Sequence, residues 1–547
     1  MKKINMYDCV YENGKIFTSN NEQPYADTMA VKDGKIAWIG SKAEMSYDSE
    51  NCINLNGKRV LPGLIDAHFH PIMLASYHKQ IACLPPVINS IEELSAEITR
   101  VRRESGKQGW IQGWGYDEGK LAERRSIDRY DLDSGCKDMP VSIIRACGHI
   151  TCFNSKALEL AGIDQNTPDT QGGTIDRDEN GEPTGIIREN ARNLVTRIMP
   201  VESEEDVINN VVALNDLMLS QGITAVADMG NFNDVDYYPY YEKARKKGFL
   251  PSVSLYYMWE FFKDKEGFSF DASDMITEKS IRIAGMKLFA DGSVTGRTAW
   301  CDRPYIGTPD HYGLPVATEK DIKEAVKFCK KNKCQISIHA MGARAIDRAV
   351  NGTYEEENWI GDRPAVRIEH AAMPSKQAMQ RASQAGIAFV TQPIFLYAEI
   401  ETYLKNLGHE WTKQTYPVND MLKYDIKTCF SSDAPTTAWA DPSNPFVGIK
   451  GAVTRIAHDG TDCGRSHCVD VKTAVELYTR EASEILGIEN IGQLKTGYLA
   501  NFIILDRDIF EIPGEDIDMT TVEETYMEGK KVYSNKKSPH YRRKVSH

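Results

Sequence analysis

Two histidines separated by a single residue end an apolar run at positions 62–70. Side chains at alternate positions of a β-strand point to the same face, so His68 and His70 can present two imidazoles to one point. Imidazole is a common ligand for zinc and for other first-row transition metals. This pair makes a metal centre the first hypothesis for the chain.

Four further residues able to join such a centre end other apolar runs: Lys287, His339, His370 and Asp433. Each has an ordinary alternative, because a lone histidine is more often structural than a ligand, and Asp433 precedes Ala434-Pro435 and can simply turn the chain. Together, four neutral imidazoles and one carboxylate form a donor set that suits zinc, with manganese, nickel and iron as alternatives. We expect one or two divalent ions, with zinc as the first choice.

Lys287 lies inside an otherwise apolar run, residues 281–291. Burying an ammonium group is costly, so a lysine at this position should either pair with a carboxylate or lose its proton. A neutral amine can add carbon dioxide to form a carbamate, whose oxygens can bridge two metal ions. A structural ion pair with a nearby carboxylate such as Asp291 is the alternative, and the residues alone leave both open.

These residues need a scaffold that brings distant parts of the chain to one place. Eight apolar runs that end in polar or ionisable residues alternate with helical stretches: 60–70, 222–228, 251–257, 281–291, 334–339, 365–370, 387–392 and 427–433. This alternation predicts an α/β protein with a parallel (β/α)8 TIM barrel, a fold that carries its catalytic groups at the C-terminal ends of the strands. The polar residues fall at those ends.

The remaining sequence predicts two further parts. Short β-prone runs near both termini, with hairpin-type dipeptides at 13–14, 33–34 and 56–57, predict a composite β-sandwich domain built from residues 1–62 and 490–547. The barrel domain then spans 63–489. The stretch 72–213 is too long for a loop and is interpreted as an inserted α/β subdomain. A helical pattern over 471–486 ends at Gly487.

Composition argues against several classes of function. The formal net charge of the 547 residues is -13, which argues against a nucleic-acid-binding protein. No apolar run reaches about 18 residues, the length expected of a membrane span, and twelve cysteines occur without a CxxC pair, as in reducing compartments. We therefore expect a cytoplasmic protein that contacts no membrane, acts on a small-molecule substrate and can form a homo-oligomer.

Five motifs together resemble the amidohydrolase superfamily: PGLIDAHFH at 62–70, MKLFADGS at 286–293, IHAMG at 338–342, RIEHA at 367–371 and SDAP at 432–435. The branch that contains N-substituted formamide deformylase is the most similar. Segments of the inserted stretch agree with that branch: GH at 148–149, NSKAL at 154–158, GEPTG at 181–185 and RE at 188–189. The resemblance runs nearly from end to end.

The resemblance implies a metal-dependent hydrolase of carbon–nitrogen bonds other than peptide bonds, with a linear amide or an N-substituted formamide as the favoured substrate. It implies that His68 and His70 hold a first metal, that His339 and His370 hold a second, and that a carboxylated Lys287 bridges them. Asp433 would be both a metal ligand and the general base.

Two positions depart from the pattern of the superfamily. Ala343 stands where relatives usually have an aspartate that supports the ligands, and its effect on substrate choice is open. Asn501 replaces a common aspartate in the terminal sheet, where no effect on the chemistry is expected.

Candidates for substrate binding lie in the inserted stretch and after the fourth barrel strand: Trp114, His149, Arg297 and Trp300. Ligand pockets favour apolar walls with a few polar groups, which these residues could supply. Aromatic residues in an inserted segment also serve as the core of that segment, which is the alternative interpretation.

Two other functions compete with this one. The same metal apparatus acts on several carbon–nitrogen bonds, so a deaminase or a cyclic-amide hydrolase is the alternative enzyme. A non-catalytic metal-binding or assembly protein is the alternative from another class. Retention of all the candidate ligands and Asp433 favours an enzyme.

Overall fold

Eight parallel strands form a barrel in the computed structural model, which describes residues 5–44, 47–48, 51–106, 109–146, 148, 150–361 and 363–535. Neighbouring strands pair in sequence order; they are Leu64–Phe69, Ile223–Asp228, Ser252–Met258, Ile281–Phe289, Gln335–Ala340, Val366–His370, Ala388–Thr391 and Thr428–Phe430. The predicted TIM barrel is confirmed.

The first and eighth strands are joined just beyond their C-terminal ends. The amide of Asp433 donates to the carbonyl of His68 over 2.9 Å, and the amide of His70 donates to the carbonyl of Ala434 over 2.9 Å. The carboxylate of Asp66 also accepts a hydrogen bond from the amide of Ser432. These bonds nearly close the barrel and bring Asp433 beside the two histidines.

The first barrel strand shows how the sequence sorts its side chains. Ile65 and Ala67 pack with Ile485 and Leu486 of a helix on the outer face. Asp66, His68 and His70 alternate with the apolar residues, so they point to the barrel interior.

Helices accompany the strands. The helix before the second strand is Glu204–Ser220, and the later ones are Tyr238–Lys246, Trp259–Phe262, Glu319–Asn332, Ala343–Asn351, Lys376–Ala385, Pro393–Ala398, Ile400–Leu407, His409–Thr412, Val418–Lys423, Pro445–Thr454, Val471–Leu477 and Arg480–Leu486. The single helix predicted over 471–486 is therefore two helices. Thr479 lies in the break, where its hydroxyl bonds to the carbonyl of Val475 and to the hydroxyl of Ser19. Gly487 ends the second helix in the left-handed conformation, as predicted.

Strands from the two termini combine in one six-stranded sheet, in the order Lys530–Ser534, Val522–Met527, Phe502–Leu505, Arg59–Pro62, Lys15–Phe17 and Tyr25–Ala26. A four-stranded sheet has the order Lys35–Gly40, Thr28–Lys32, Cys9–Glu12 and Cys52–Asn54. One apolar cluster, including Tyr11, Val31, Val60 and Phe502, draws on both sheets. The two sheets form the composite β-sandwich that the sequence predicts. The short strands Asn5–Met6 and Tyr47–Asp48 pair separately.

Two of the predicted local features differ from the structure. The run at 60–70 is divided, because Arg59–Pro62 belongs to the terminal sheet and the barrel strand begins at Leu64. Gly63 lies between them, and a Cβ there would be 2.4 Å from the hydroxyl of Thr224. Of the three turn dipeptides, only Asp33-Gly34 makes a hairpin. Those at 13–14 and 56–57 connect strands of different sheets, because a positive φ permits a sharp turn without dictating which strands pair.

The inserted stretch contains a six-stranded mixed sheet in the order Ile81–Ala82, Ile111–Tyr116, Val141–Arg145, Ile150–Phe153, Pro183–Glu189 and Gly173–Arg177. Its helices are Pro71–Tyr77, Ile91–Glu104, Arg129–Gly135, Ser155–Ala161 and Asn193–Thr196. Two compact units divide the chain: Met1–Pro71, Val211–Ala434 and Ser443–His547 form the first, and Ile72–Asn210 with Pro435–Pro442 form the second. The three-domain boundaries expected from the sequence stay a prediction.

Within the described residues, no helix has the combined length and apolar character that crossing a bilayer requires.

Candidate metal centre

Six buried side chains, which we call the centre, meet at the C-terminal end of the barrel: His68, His70, Lys287, His339, His370 and Asp433. Ring centroids are 5.7 Å apart for His68 and His70, 4.8 Å for His68 and His370, and 4.4 Å for His339 and His370. The Nζ atom of Lys287 lies 3.5 Å from Nε2 of His68. The six residues that the sequence singled out are thus brought together at the ends of five barrel strands: the first supplies His68 and His70, and the fourth, fifth, sixth and eighth supply Lys287, His339, His370 and Asp433.

His68, His70 and Asp433 form the tightest part of the centre. Each offers one ligand atom, and these atoms lie within 4.8 Å of one another. Oδ1 of Asp433 lies 3.4 Å from Nε2 of His68 and 3.2 Å from Nε2 of His70. This geometry is compatible with a shared cation.

Hydrogen bonds fix which nitrogen each of these two imidazoles presents. Nδ1 of His68 lies 2.6 Å from the carboxylate of Glu369, and Nδ1 of His70 lies 3.0 Å from the carbonyl oxygen of Gly230. Both partners accept, so Nδ1 of each ring must carry the proton. In the neutral imidazoles, Nε2 therefore carries a lone pair directed toward Asp433.

Hydrogen bonds also fix the other two histidines, but His339 bonds through the opposite ring nitrogen. Nδ1 of His370 lies 2.7 Å from Oε1 of Gln392, whose amide nitrogen donates to Ser431. His339 instead donates through Nε2 to the carbonyl of Gly292 over 2.9 Å. Its Nδ1 is buried and has no hydrogen-bond partner among the described residues. His370 thus presents Nε2 and His339 presents Nδ1.

The centre fits a divalent metal on chemical grounds. The lone pair on Nε2 of neutral His68 faces a carboxylate oxygen of Asp433 at 3.4 Å, and the two repel each other unless a cation lies between them. A buried and unpartnered nitrogen such as Nδ1 of His339 calls for an explanation, and a metal ligand is one. Nitrogen and oxygen donors of this kind suit zinc and its neighbours.

Electrostatics keep most of the imidazoles neutral. Burial, together with the positive charge of Lys287, lowers the pKa of His68 to about 3. Burial also lowers the pKa of His370 to about 4 and that of His339 well below its usual range. His70 differs, because its contact with Asp433 outweighs burial and raises its pKa. Although burial alone would raise it, the pKa of Asp433 is held well below its usual range by His68 and His70.

Lys287 is buried in the fourth barrel strand, and burial lowers the pKa of its ammonium group to about 8. Besides the contact with His68, its Nζ lies 5.3 Å from the ring centroid of Phe289. The alternative partner, Asp291, is engaged elsewhere. Its carboxylate accepts hydrogen bonds from the backbone amides of Trp300, Met341 and Gly342, and burial raises its pKa to about 7.

Sequence reasoning missed the residues that orient the ligands. Glu369 bonds to His68, and it is itself held by the guanidinium of Arg367 and by the hydroxyl of Ser337 over 2.8 Å. Burial would raise the pKa of Glu369, but Arg367 and then His68 hold it well below its usual range. The sequence did contain a signal for these residues. Arg367 and Glu369 are opposite charges at alternate positions of a buried barrel strand, and such pairs are rare without a role.

Backbone conformation also marks the centre. His370 and Asp433 have φ values of 70° and 58°, in the left-handed region that non-glycine residues seldom adopt. Such conformations are retained where the surroundings enforce them, and they cluster at functional sites. His370 is the last residue of the sixth barrel strand, and Asp433 lies three residues beyond the end of the eighth.

The four candidates for substrate binding have different surroundings. Trp114 is buried in the second unit and stacks on Tyr77 at 5.2 Å, as a core residue of that unit would. His149 lies outside the described residues. Arg297 donates to the carbonyl of Ile306 and to the hydroxyl of Thr308, both over 2.8 Å.

Trp300 is half-buried, and the guanidinium of Arg348 lies 4.1 Å above its ring. Its amide bonds to Asp291 over 2.8 Å. Gly342 lies against its backbone so closely that a Cβ there would be 2.3 Å from the Trp300 carbonyl. Trp300 is therefore tied to the segment that follows His339. A role for any of these residues in substrate binding stays a prediction.

Comparisons with known proteins agree with this picture. A family model described as the amidohydrolase family matches residues 51–533. YtcJ of Bacillus subtilis (strain 168) is 28% identical over 539 residues, covering 96% of this chain and 99% of that protein. N-substituted formamide deformylase of Arthrobacter pascens is 27% identical over 539 residues, covering 96% and 98%. The crystal structure of an uncharacterised metal-dependent hydrolase from Pyrococcus horikoshii OT3 matches with a TM-score of 0.70 and 26% identity, over 92% of this chain and 98% of that one.

Proposed function

The chain belongs to the amidohydrolase family of hydrolases that act on carbon–nitrogen bonds, and on this premise we propose that it hydrolyses a linear amide at the centre, with Asp433 as general base. Its partner is a small-molecule substrate. The observation that carries the proposal is the convergence of His68, His70 and Asp433, whose ligand atoms lie within 4.8 Å of one another.

We assign the metal ligands from the donor atoms that the hydrogen bonds leave available. His68 and His70 would hold one ion through Nε2, together with Asp433. His339 and His370 would hold a second through Nδ1 and Nε2. A divalent ion at this place, zinc by the chemistry of the donors, lowers the pKa of bound water and polarises a substrate carbonyl.

Asp433 is suited to move the proton. Its carboxylate is ionised and lies beside the candidate ligands His68 and His70, so it can accept a proton from the attacking water and deliver it to the departing amine. One C–N bond breaks and one C–O bond forms, and the proton taken from water leaves on the nitrogen. Nε2 of His68 and Nε2 of His70 lie 3.4 and 3.2 Å from this carboxylate.

Lys287 would take part as a carbamate. A pKa near 8 leaves more of the amine neutral than an exposed lysine has at neutral pH. The neutral amine adds carbon dioxide, which forms one N–C bond and releases one proton. The product is an anion beside His68, where a second negative ligand would help to balance two divalent cations.

The substrate class is an N-substituted formamide or a related linear amide. A relative of that name, 27% identical over nearly the whole chain, supports this choice.

Elemental analysis of the purified protein, combined with an amide panel, tests the proposal. We expect stoichiometric divalent metal and the release of an amine together with a carboxylate. A panel of linear amides, N-substituted formamides, cyclic amides and aminated heterocycles separates the alternatives, because a deaminase releases ammonia and a cyclic-amide hydrolase opens a ring. Metal-replete protein that hydrolyses no carbon–nitrogen bond would overturn the proposal.

A further inference from the structure

Several exposed apolar side chains lie in the segments that follow barrel strands two to four, which we call the edge. The first unit has ten large apolar residues that are exposed among its described residues, and seven of them follow barrel strands two to four: Phe232, Val235, Phe261, Ile276, Ile306, Leu314 and Val316. Apolar residues scattered singly over a surface need no explanation, but an exposed aromatic ring that leads to the proposed active site does.

Two phenylalanines connect this edge to the centre. Phe232 is 56% exposed, and its ring centroid lies 5.8 Å from that of Phe289. Phe289 is half-buried, pairs with His339 in the neighbouring strand, and has its ring centroid 4.8 Å from the imidazole. We call Phe232 and Phe289 the shelf. It runs without interruption from solvent to a candidate metal ligand.

Phe289 also lies two residues after Lys287, on the same face of the strand. The Lys287 nitrogen lies 5.3 Å from its ring centroid. The ring therefore lies beside His339 and Lys287 of the centre and also beside Phe232. An apolar group attached to a carbonyl that reacts at the centre would reach Phe289 first and Phe232 next.

From this arrangement we propose that the shelf binds an aromatic or bulky apolar substituent of the substrate. The inference rests on the proposed function, and it narrows the proposed substrate class of linear amides. The preferred substrates are linear amides with such a substituent next to the scissile C–N bond, and Phe232 determines this preference. Covering an exposed phenylalanine removes apolar area from water, which favours binding of a matching group.

Two substrate series test the inference with metal-loaded protein. In one, the nitrogen substituent of a formamide grows from methyl to butyl to phenylmethyl; in the other, the acyl group of an N-methyl amide grows in the same way. We expect kcat/KM to rise with apolar size in at least one series. Phe232→Ala should lower kcat/KM about tenfold for the phenylmethyl compound and by a clearly smaller factor for the methyl compound.

Tyr25→Ala is the matched control. Tyr25 is also 56% exposed, and its ring centroid lies 5.8 Å from that of Phe17, but it is in the terminal sheet. This variant should leave kcat/KM unchanged for both the phenylmethyl and the methyl compound. Equal effects of the two variants, or an equal loss for large and small substrates in Phe232→Ala, would overturn the inference.

A binding measurement keeps the inference separate from the proposed function. Calorimetry should show that the phenylmethyl compounds bind the wild-type holoprotein more tightly than the methyl compounds, and that Phe232→Ala removes the difference. If no amide is hydrolysed but this pattern is found, the proposed reaction is wrong and the shelf stands. If amides are hydrolysed without any dependence on apolar size, the shelf is wrong and the reaction stands.

Discussion

His68 and Glu369 meet inside the barrel, where Nδ1 of the imidazole lies 2.6 Å from a carboxylate oxygen and both side chains are buried. The other three histidines of the centre bond to neutral oxygens, which are two backbone carbonyls and one side-chain amide. A carboxylate behind an imidazole fixes its orientation and raises its basicity as a ligand. His68 should therefore be the strongest nitrogen donor of the centre.

Glu369→Gln tests this relationship through metal affinity. We expect the affinity for zinc to fall about 10- to 100-fold, measured by competition with a chromophoric chelator. The metal-free variant should also unfold at a lower temperature, because Arg367 loses its charged partner in the core. Affinity is therefore measured well below that temperature.

Ser337→Ala is the control for Glu369→Gln. It removes a 2.8 Å hydrogen bond to the same carboxylate without removing a contact of His68. It should leave the affinity for zinc nearly unchanged. A similar loss of affinity in both variants would mean that Glu369 acts through packing alone.

Asp433→Asn should separate metal binding from catalysis. The four imidazoles remain, so we expect the variant to retain its metal on elemental analysis. An amide cannot accept the proton of the attacking water, so kcat should fall by about 10²- to 10⁴-fold. Full turnover by the metal-loaded variant would contradict the role of Asp433 as general base.

The barrel and the six residues of the centre could be predicted from the sequence, because a parallel barrel fixes where the strand ends meet. Lys287, His339 and His370 each end or approach the end of an apolar run, and topology alone brings them together. The orientation of each ring could not be predicted. It depends on hydrogen-bond partners such as Gln392 and the carbonyl of Gly230, which follow other barrel strands. The register between the strands determines which partner faces each ring.

Local sequence signals gave wrong strand limits and wrong strand pairs where pairing with distant strands determines the structure. The run at 60–70 reads as one strand, yet residues on either side of Gly63 pair with different sheets. Asn56-Gly57 has the turn conformation expected of its sequence, with φ values of 53° and 73°. Its flanking strands nevertheless join different sheets: Cys52–Asn54 pairs with Cys9–Glu12, and Arg59–Pro62 pairs with Phe502–Leu505 and Lys15–Phe17.

Asp291→Asn should destabilise the loops beside His339. The carboxylate accepts hydrogen bonds from three backbone amides, those of Trp300, Met341 and Gly342, of which the last two are buried. An asparagine places an NH2 group where one oxygen accepts, and each amide left without a partner costs about 1–3 kcal/mol. Urea unfolding measures the loss. Asp178→Asn is the control, because that carboxylate also accepts from backbone amides but in a partly exposed turn.

Lys287→Met should change how the stability of the metal-free protein depends on pH. Burial lowers the pKa of Lys287 from 10.5 to about 8 in the folded state. Below about pH 8 the lysine is protonated in both the folded and the unfolded state, and burial of the charge opposes folding. Between about pH 8 and 10.5 the unfolded state binds the additional proton, so this contribution to stability improves as the pH rises.

The size of the effect follows from the shift in pKa. It corresponds to a penalty on the order of 3 kcal/mol at neutral pH, which Lys287→Met removes. In buffers free of carbon dioxide, urea unfolding should show the variant to be more stable than the wild type near pH 7, with a difference that shrinks toward pH 10. Lys320 lies on an exposed helix face, so Lys320→Met should show the same dependence of stability on pH as the wild type. Parallel stability curves for Lys287→Met and the wild type would show that the ammonium is not destabilised by burial, and the carbamate would then lose its physical basis.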